Sequence, residues 1–81
     1  MIKLYNPKHF TSEEIQLIEA KGIRSTSMKP EELQRVHLML YKEASTIPGR
    51  YHYCYEGQDE YPFCTSGDLE TTLESFLEAY A

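Results

Sequence analysis

The chain has no tryptophan, only four glycines and only two cysteines in 81 residues, and no Lys or Arg follows Arg50. Each shortage excludes something. Four scattered glycines cannot build a phosphate-cradling loop. Cys54 and Cys64 form no CxxC pair and no zinc-finger framework. The longest apolar stretch, Val36 to Tyr41 around His37, is far shorter than the ~20 residues needed to cross a bilayer. Met1 to Phe10 lacks the apolar segment and the small-residue cleavage site of a secretory signal. A cytoplasmic chain with two free thiols is therefore expected, a cross-strand disulfide being the alternative if Cys54 and Cys64 stand directly opposite. Repeats and low-complexity tracts are also missing. With 41% hydrophobic and 26% charged residues, the composition is that of one small globular domain, residues 1–81, with a thin core.

The charge that is present is unevenly spread. All eight Lys and Arg lie in residues 1–50, among six Glu. Residues 51–81 carry only carboxylates: Glu56, Asp59, Glu60, Asp68, Glu70, Glu74 and Glu78. A net charge of −5 weighs against nucleic acid as the main partner. The asymmetry is an argument about partners rather than about fold.

Local signals predict the elements. Ile2 to Tyr5 alternates apolar and polar and reads as a short strand, broken by Asn6-Pro7. Thr11-Ser12-Glu13-Glu14 is a capping box, and Phe10 and Ile15 stand at hydrophobic-staple positions. The helix it opens is expected over 12–21, with Ile15, Leu17, Ile18 and Ala20 inward and Gly22 as its stop. Pro30 suits a first helical turn. Leu33, Val36, His37, Leu40 and Ala44 recur at helical spacing, so a second and longest helix is expected over about 30–44. Tyr51 to Tyr55 and Tyr61 to Thr65 read as a hairpin. Leu69, Leu73, Phe76, Leu77 and Tyr80 form the stripe of a last amphipathic helix. The expected order is β-α-α-β-β-α. That is an α+β two-layer domain, in which the hairpin at about 51–65 and the N-terminal strand form a short antiparallel sheet packed by three helices.

Two clusters stand out as candidate interaction residues. Glu70, Glu74 and Glu78 recur at i, i+4 and i+8, where like charges repel by a few tenths of a kcal/mol per pair. A face built only for solubility would interleave signs. With Glu56, Asp59, Glu60 and Asp68 the ladder is expected to form an acidic docking face for a basic partner protein. The bland alternative is a solvated face, or one paired internally with Lys21, Arg24, Lys29 or Arg35. The second cluster is aromatic. Tyr53 and Tyr55 share a strand face with Tyr51, and Tyr61 and Phe63 join them if Cys54 stands opposite Cys64. That face is either the core side of the sheet or an exposed Tyr platform at an interface.

The remaining chemistry is thin. His52, Cys54 and Cys64 fall on the opposite face and are zinc-ligand types. Their spacing matches no framework, and a fourth ligand would have to come from His37 or His9. No metal and no cofactor are expected. His52 beside Cys54 is a poor nucleophile pair, because no electropositive surroundings lower the thiol pKa. No enzymatic activity is expected. Lys21, Arg24 and Lys29 form a basic patch, but the connector there is too long for a helix-turn-helix.

The reading is a small acidic binding or inhibitor protein whose acidic, Tyr-containing carboxy-terminal half covers a basic site, in some cases a nucleic-acid-binding one, on a partner protein. In size and composition it resembles the small inhibitors and accessory proteins of phages and mobile elements, anti-CRISPR and anti-restriction proteins among them. No motif underlies that likeness. A zinc-stabilised interaction module and a nucleic-acid-binding accessory protein are the alternatives.

Overall fold

The computed structural model describes residues 2–29, 32, 37–57, 62–65 and 68–79. The alternating amino terminus forms strand β1 (Ile2–Tyr5). A 3-10 turn at Pro7–His9 follows, its first turn held by the Asn6 side chain, which accepts from the Lys8 N–H. The capping box then starts helix α1 (Ser12–Ala20). Thr11 Oγ1 accepts the Glu14 N–H at 3.3 Å, and Glu14 Oε1 accepts the Thr11 N–H at 2.9 Å. Gly22, at φ 80°, ends the turn after the helix in a conformation that favours glycine.

The largest departure from expectation follows. Residues 37–44, the second half of the expected second helix, form strand β3 (His37–Ala44), and Arg24–Ser25 in the expected polar connector forms a two-residue strand, β2. The first half of that helix, Leu33 and Val36 included and Glu32 apart, lies outside the described residues. Strands β4 (Tyr51–Gly57) and β5 (Phe63–Thr65) make the expected hairpin, and helix α2 (Leu69–Glu78) follows. The sheet is five-stranded and mixed, in the order β2-β1-β3-β4-β5. β1 runs parallel to both β2 and β3, whereas β3, β4 and β5 are successively antiparallel. The three-helix, short antiparallel design is thus overturned, and a small α+β fold with helices α1 and α2 on one sheet face remains.

The reason is β3's place at the centre. Leu38, Met39, Leu40 and Tyr41 are all buried, because the strand is covered on both faces. A strand buried on both faces reads as a continuous apolar run, which periodicity cannot separate from a buried helix. Leu38 and Leu40 point to the helical, front face. There they join Tyr5, Phe10, Ile18, Ile23, Tyr55, Leu69, Leu73 and Phe76 in the main core. Met39 and Tyr41 point to the back face with Cys54, where Met28 packs on them. Topology explains that covering. β1-to-β2 moves outward and β2-to-β3 returns past β1. Right-handed crossovers in both directions need connections on opposite faces. Helix α1 takes the front, and Met28, which follows β2 in the chain, packs on the back.

Along α1, Ile18 is buried and Ile15 packs at the edge of the core, whereas Leu17 and Ala20 are exposed. At ~100° per residue, Leu17 and Ala20 fall well over 90° from the Ile15–Ile18 side, so the expected four-residue inward face is narrower than read.

The cysteines also depart from expectation. Cys54 and Cys64 are register partners across β4 and β5 and form a disulfide, with Cα atoms 4.1 Å apart. Among the described residues no free cysteine remains. The hairpin register brings the pair directly opposite, and a cross-strand bond needs that arrangement. Among the described residues, no helix is long and apolar enough to cross a membrane.

Candidate functional site

Helix α2 divides its residues cleanly. Asp68 caps it, accepting the Thr71 N–H at 2.7 Å, and this bond holds its carboxyl below the usual carboxylate range. Leu69, Leu73 and Phe76 are buried in the core and Leu77 packs at its edge, while Tyr80 lies outside the described residues. The Tyr55 hydroxyl and Ser75 Oγ, 2.7 Å apart, and the tilted Tyr55–Phe76 ring pair fix the helix to β4. The Lys3 ammonium donates to the Leu77 carbonyl near its end. Glu70, Glu74 and Glu78 are left facing solvent, all exposed.

Helix α1 lies beside α2 and contributes the same sign. Glu13 and Glu19 are exposed, and neither helix contains a Lys or Arg. Glu19 and Glu78 stand in the last turns, at the negative ends of the helix dipoles, where a carboxylate costs a few tenths of a kcal/mol. Among the described residues the one ion pair within 4.0 Å joins Lys42 to Glu14. None of Lys21, Arg24 and Lys29 therefore forms an ion pair with the ladder, although Lys21 shares a groove with Glu70 and Glu74, and Arg35 lies outside the described residues. Between the helices runs a groove of about 210 Å³ lined by Leu17 and Lys21 on one bank and Glu70, Leu73 and Glu74 on the other. Small-molecule sites usually measure about 300–1,000 Å³, so this groove has the size of one side chain.

Of the other sequence-predicted residues, the described ones stand apart from that surface. Glu56 alternates with Tyr55 on β4 and so belongs to the back face, away from the ladder. Asp59, Glu60 and Tyr61 lie outside the described residues. Tyr55 is buried and stacks on Phe63 with ring centroids 5.0 Å apart, so it is a core residue rather than part of an exposed platform. Tyr53 is half-buried and stacks on Phe10. Its hydroxyl donates to Glu14 Oε2 at 2.6 Å. Burial first, and then this carboxylate, push the Tyr53 phenol up to about 12.

Glu14 is the one helical carboxylate that is fully engaged. It accepts from Lys42 Nζ at 2.7 Å, from the Tyr53 hydroxyl and from the Thr11 N–H. The Lys42 ammonium stands 4.7 Å from the Tyr51 ring centre and 5.9 Å from those of Phe10 and Tyr53. Burial alone would raise the Glu14 pKa, but the Lys42, Thr11 and Tyr53 donors outweigh it and bring it to about 2. This cluster pins α1 to the sheet.

Sequence reasoning missed Glu13, Glu19 and Leu17 as parts of the helical surface. The signal was there in Ser12–Ala20, which has three Glu and no cation. It also missed Glu43, whose carboxylate lies within 4.8 Å of both cysteine sulfurs, because residue 43 was placed on a helix. No protein family, curated relative or solved structure matches this chain significantly.

Proposed function

We propose that the chain is a non-enzymatic binding protein that docks its acidic helical layer on a basic site of a partner protein and occludes it. The observation that carries this reading is the run of Glu70, Glu74 and Glu78, exposed and without an ion-pair partner among the described residues, beside an α1 that also lacks any cation. Unpaired carboxylates of one sign raise the local concentration of a cationic partner and speed its approach. The groove between the helices supports the same reading. The exposed Leu17 offers apolar surface above the buried Leu73, and Glu70 and Glu74 offer negative charge beside it, opposed in the groove by the single cation Lys21. A long cationic side chain of the partner, apolar along its stem and charged at its tip, matches that combination.

The reading moves the docking surface from the carboxy-terminal half alone to α1 and α2 together. Glu56 and Tyr55 no longer belong to it. A ladder at ~6 Å intervals is sparse beside a duplex with one charge per ~1.7 Å, so a compact basic protein site fits better than a role as a DNA mimic.

The experiment is an affinity pull-down from the native host with the wild-type chain and the Glu70→Lys/Glu74→Lys/Glu78→Lys variant, at low and high salt. The wild type is expected to capture a basic protein at low salt and lose it at high salt, as screening sets in over a Debye length of ~8 Å at physiological ionic strength. The variant is expected to associate about ten- to a hundredfold more slowly. Capture by the variant with unchanged rate and affinity would overturn the reading.

A further inference from the structure

On the back face, the register brings together three ligand types that are far apart in the chain. Cys54 and Cys64 stand opposite each other on β4 and β5. Glu43, on β3, pairs in register with His52, two residues before Cys54 on the same face. The Glu43 carboxylate oxygen and the two sulfurs all lie within 4.8 Å of one another. Cys54 is buried, whereas Cys64 and Glu43 are exposed.

We propose that reduction of the Cys54–Cys64 bond converts this corner into a zinc site, with both thiolates and the Glu43 carboxylate as ligands and the fourth position open to water. A tetrahedral zinc with bonds of ~2.3 Å to sulfur and ~2.1 Å to oxygen spaces these ligand atoms about 3.6–3.8 Å apart. The carboxylate oxygen lies within 4.8 Å of both sulfurs, so a side-chain adjustment of the exposed Glu43 brings it to that spacing. The sulfurs must separate once their bond is gone, and rotation about χ1 of the exposed Cys64 moves its sulfur without disturbing the strand. Two thiolates and a carboxylate are the soft and charged donors that zinc takes in protein sites. Glu56, on the same face, adds negative charge nearby.

The chemistry balances with a dithiol reductant. One thiolate of the dithiol attacks the sulfur of the exposed Cys64, and the Cys54 thiolate leaves. The second thiol of the reductant resolves the mixed disulfide. The protein then holds two thiols and the reductant a disulfide. Zinc binding displaces one proton from each thiol. In the oxidised chain both sulfurs are tied to each other and offer no thiolate. The disulfide and the zinc site are therefore alternatives, and each fastens the three-residue strand β5 to β4, one in oxidising and one in reducing surroundings.

The test uses the full chain, oxidised or reduced with a non-metal-binding phosphine and kept anaerobic. Zinc stoichiometry is read by native mass spectrometry, and cobalt(II) serves as a spectroscopic probe. The reduced wild type is expected to bind one zinc and to show thiolate-to-cobalt charge-transfer bands, and the oxidised chain to bind none. Glu43→Gln, an exposed change that leaves the hairpin intact, should weaken zinc binding at least about tenfold, and Cys64→Ser should remove the charge-transfer bands of a two-thiolate site. A reduced wild type that binds no zinc overturns the proposal. So does an oxidised chain that binds as well as the reduced one, or a Glu43→Gln variant with unchanged affinity. None of these outcomes depends on the acidic helical surface.

Discussion

The two faces of the sheet are built by different means. The front is closed by two helices over ten buried residues, from Tyr5 and Phe10 to Phe76. The back has a buried cluster of three, Met39, Tyr41 and Cys54, with Met28 packed on it and a disulfide at its edge. A small chain cannot bury enough apolar area to support two full cores. The front holds by the hydrophobic effect. The back, short of apolar surface, is fastened by a covalent bond at the short edge strand β5. The helices that close the front also place their unpaired carboxylates outward, while the back concentrates the metal-ligand chemistry.

The comparison breaks most visibly at the core. Phe76→Ala is expected to cost about 3–5 kcal/mol, since the ring is fully buried among Tyr55 and the front-face leucines. Met39→Ala on the back should cost about 2 kcal/mol, at the lower end for such a change, because a flexible thioether leaves a site that neighbours refill. Urea unfolding of both variants decides it. Equal losses would mean that the two faces carry equal shares. Reduction with both thiols retained and metal excluded comes next. Cross-linking residues ten apart restricts the unfolded chain by about 2.7 kcal/mol, so the midpoint should fall accordingly.

This division explains what the sequence revealed. The capping box, the Leu69–Leu73–Phe76 stripe and the 51–65 hairpin are local, so their patterns can be read in the chain. Each was found where expected. Strand β3 was not, because its apolar run reflects burial from both sides, which depends on a crossover rather than on neighbours. The disulfide was within reach of the sequence, for Cys54 and Cys64 meet inside the local hairpin, but the spacing alone did not fix the register that sets them directly opposite. Of the candidate surface, the ladder on α2 was legible from its spacing. Its continuation on α1 and its separation from Glu56 required the helices to be set beside each other on one face.

A smaller effect lies at the join between helix and sheet. Glu14 has its ordinary value of 4.5 brought to about 2 in the folded chain. A depressed carboxylate contributes stability that is complete above the unfolded pKa and disappears as pH falls through the folded one. Stability should therefore decline from about pH 5 towards pH 2 by more in the wild type than in Glu14→Gln. Lys42→Met should cost about 1–3 kcal/mol at neutral pH, since it leaves a half-buried carboxylate with two donors instead of three. Chemical unfolding at a series of pH values reads both. Parallel pH profiles for wild type and Glu14→Gln would mean that the pair does not hold α1 to the sheet.

The smallest change in stability is expected where the largest change in binding is proposed. In Glu70→Lys/Glu74→Lys/Glu78→Lys the i, i+4 repulsion persists with its sign reversed, so nothing is gained or lost by that route. Glu70, in the first turn of α2, gives up a favourable position at the positive end of the dipole, and Glu78, in the last turn, leaves an unfavourable one. Each is worth about 0.3–1 kcal/mol, and they oppose each other. Glu74 lies between them, beyond the reach of either end. Lys21 across the groove from Glu70 and Glu74 becomes a like charge, but at an exposed site such a pair counts for only a few tenths of a kcal/mol. The net should stay within about 0.5 kcal/mol. Glu14→Lys, a single reversal of the same residue type, should cost more than all three together, because Lys42 and the Tyr53 hydroxyl would then face a cation. Unfolding curves of the two variants, side by side, decide whether the molecule keeps structural and unpaired carboxylates apart. If the triple variant unfolds as easily as Glu14→Lys, the ladder belongs to the scaffold, and its exposure is no guide to a partner.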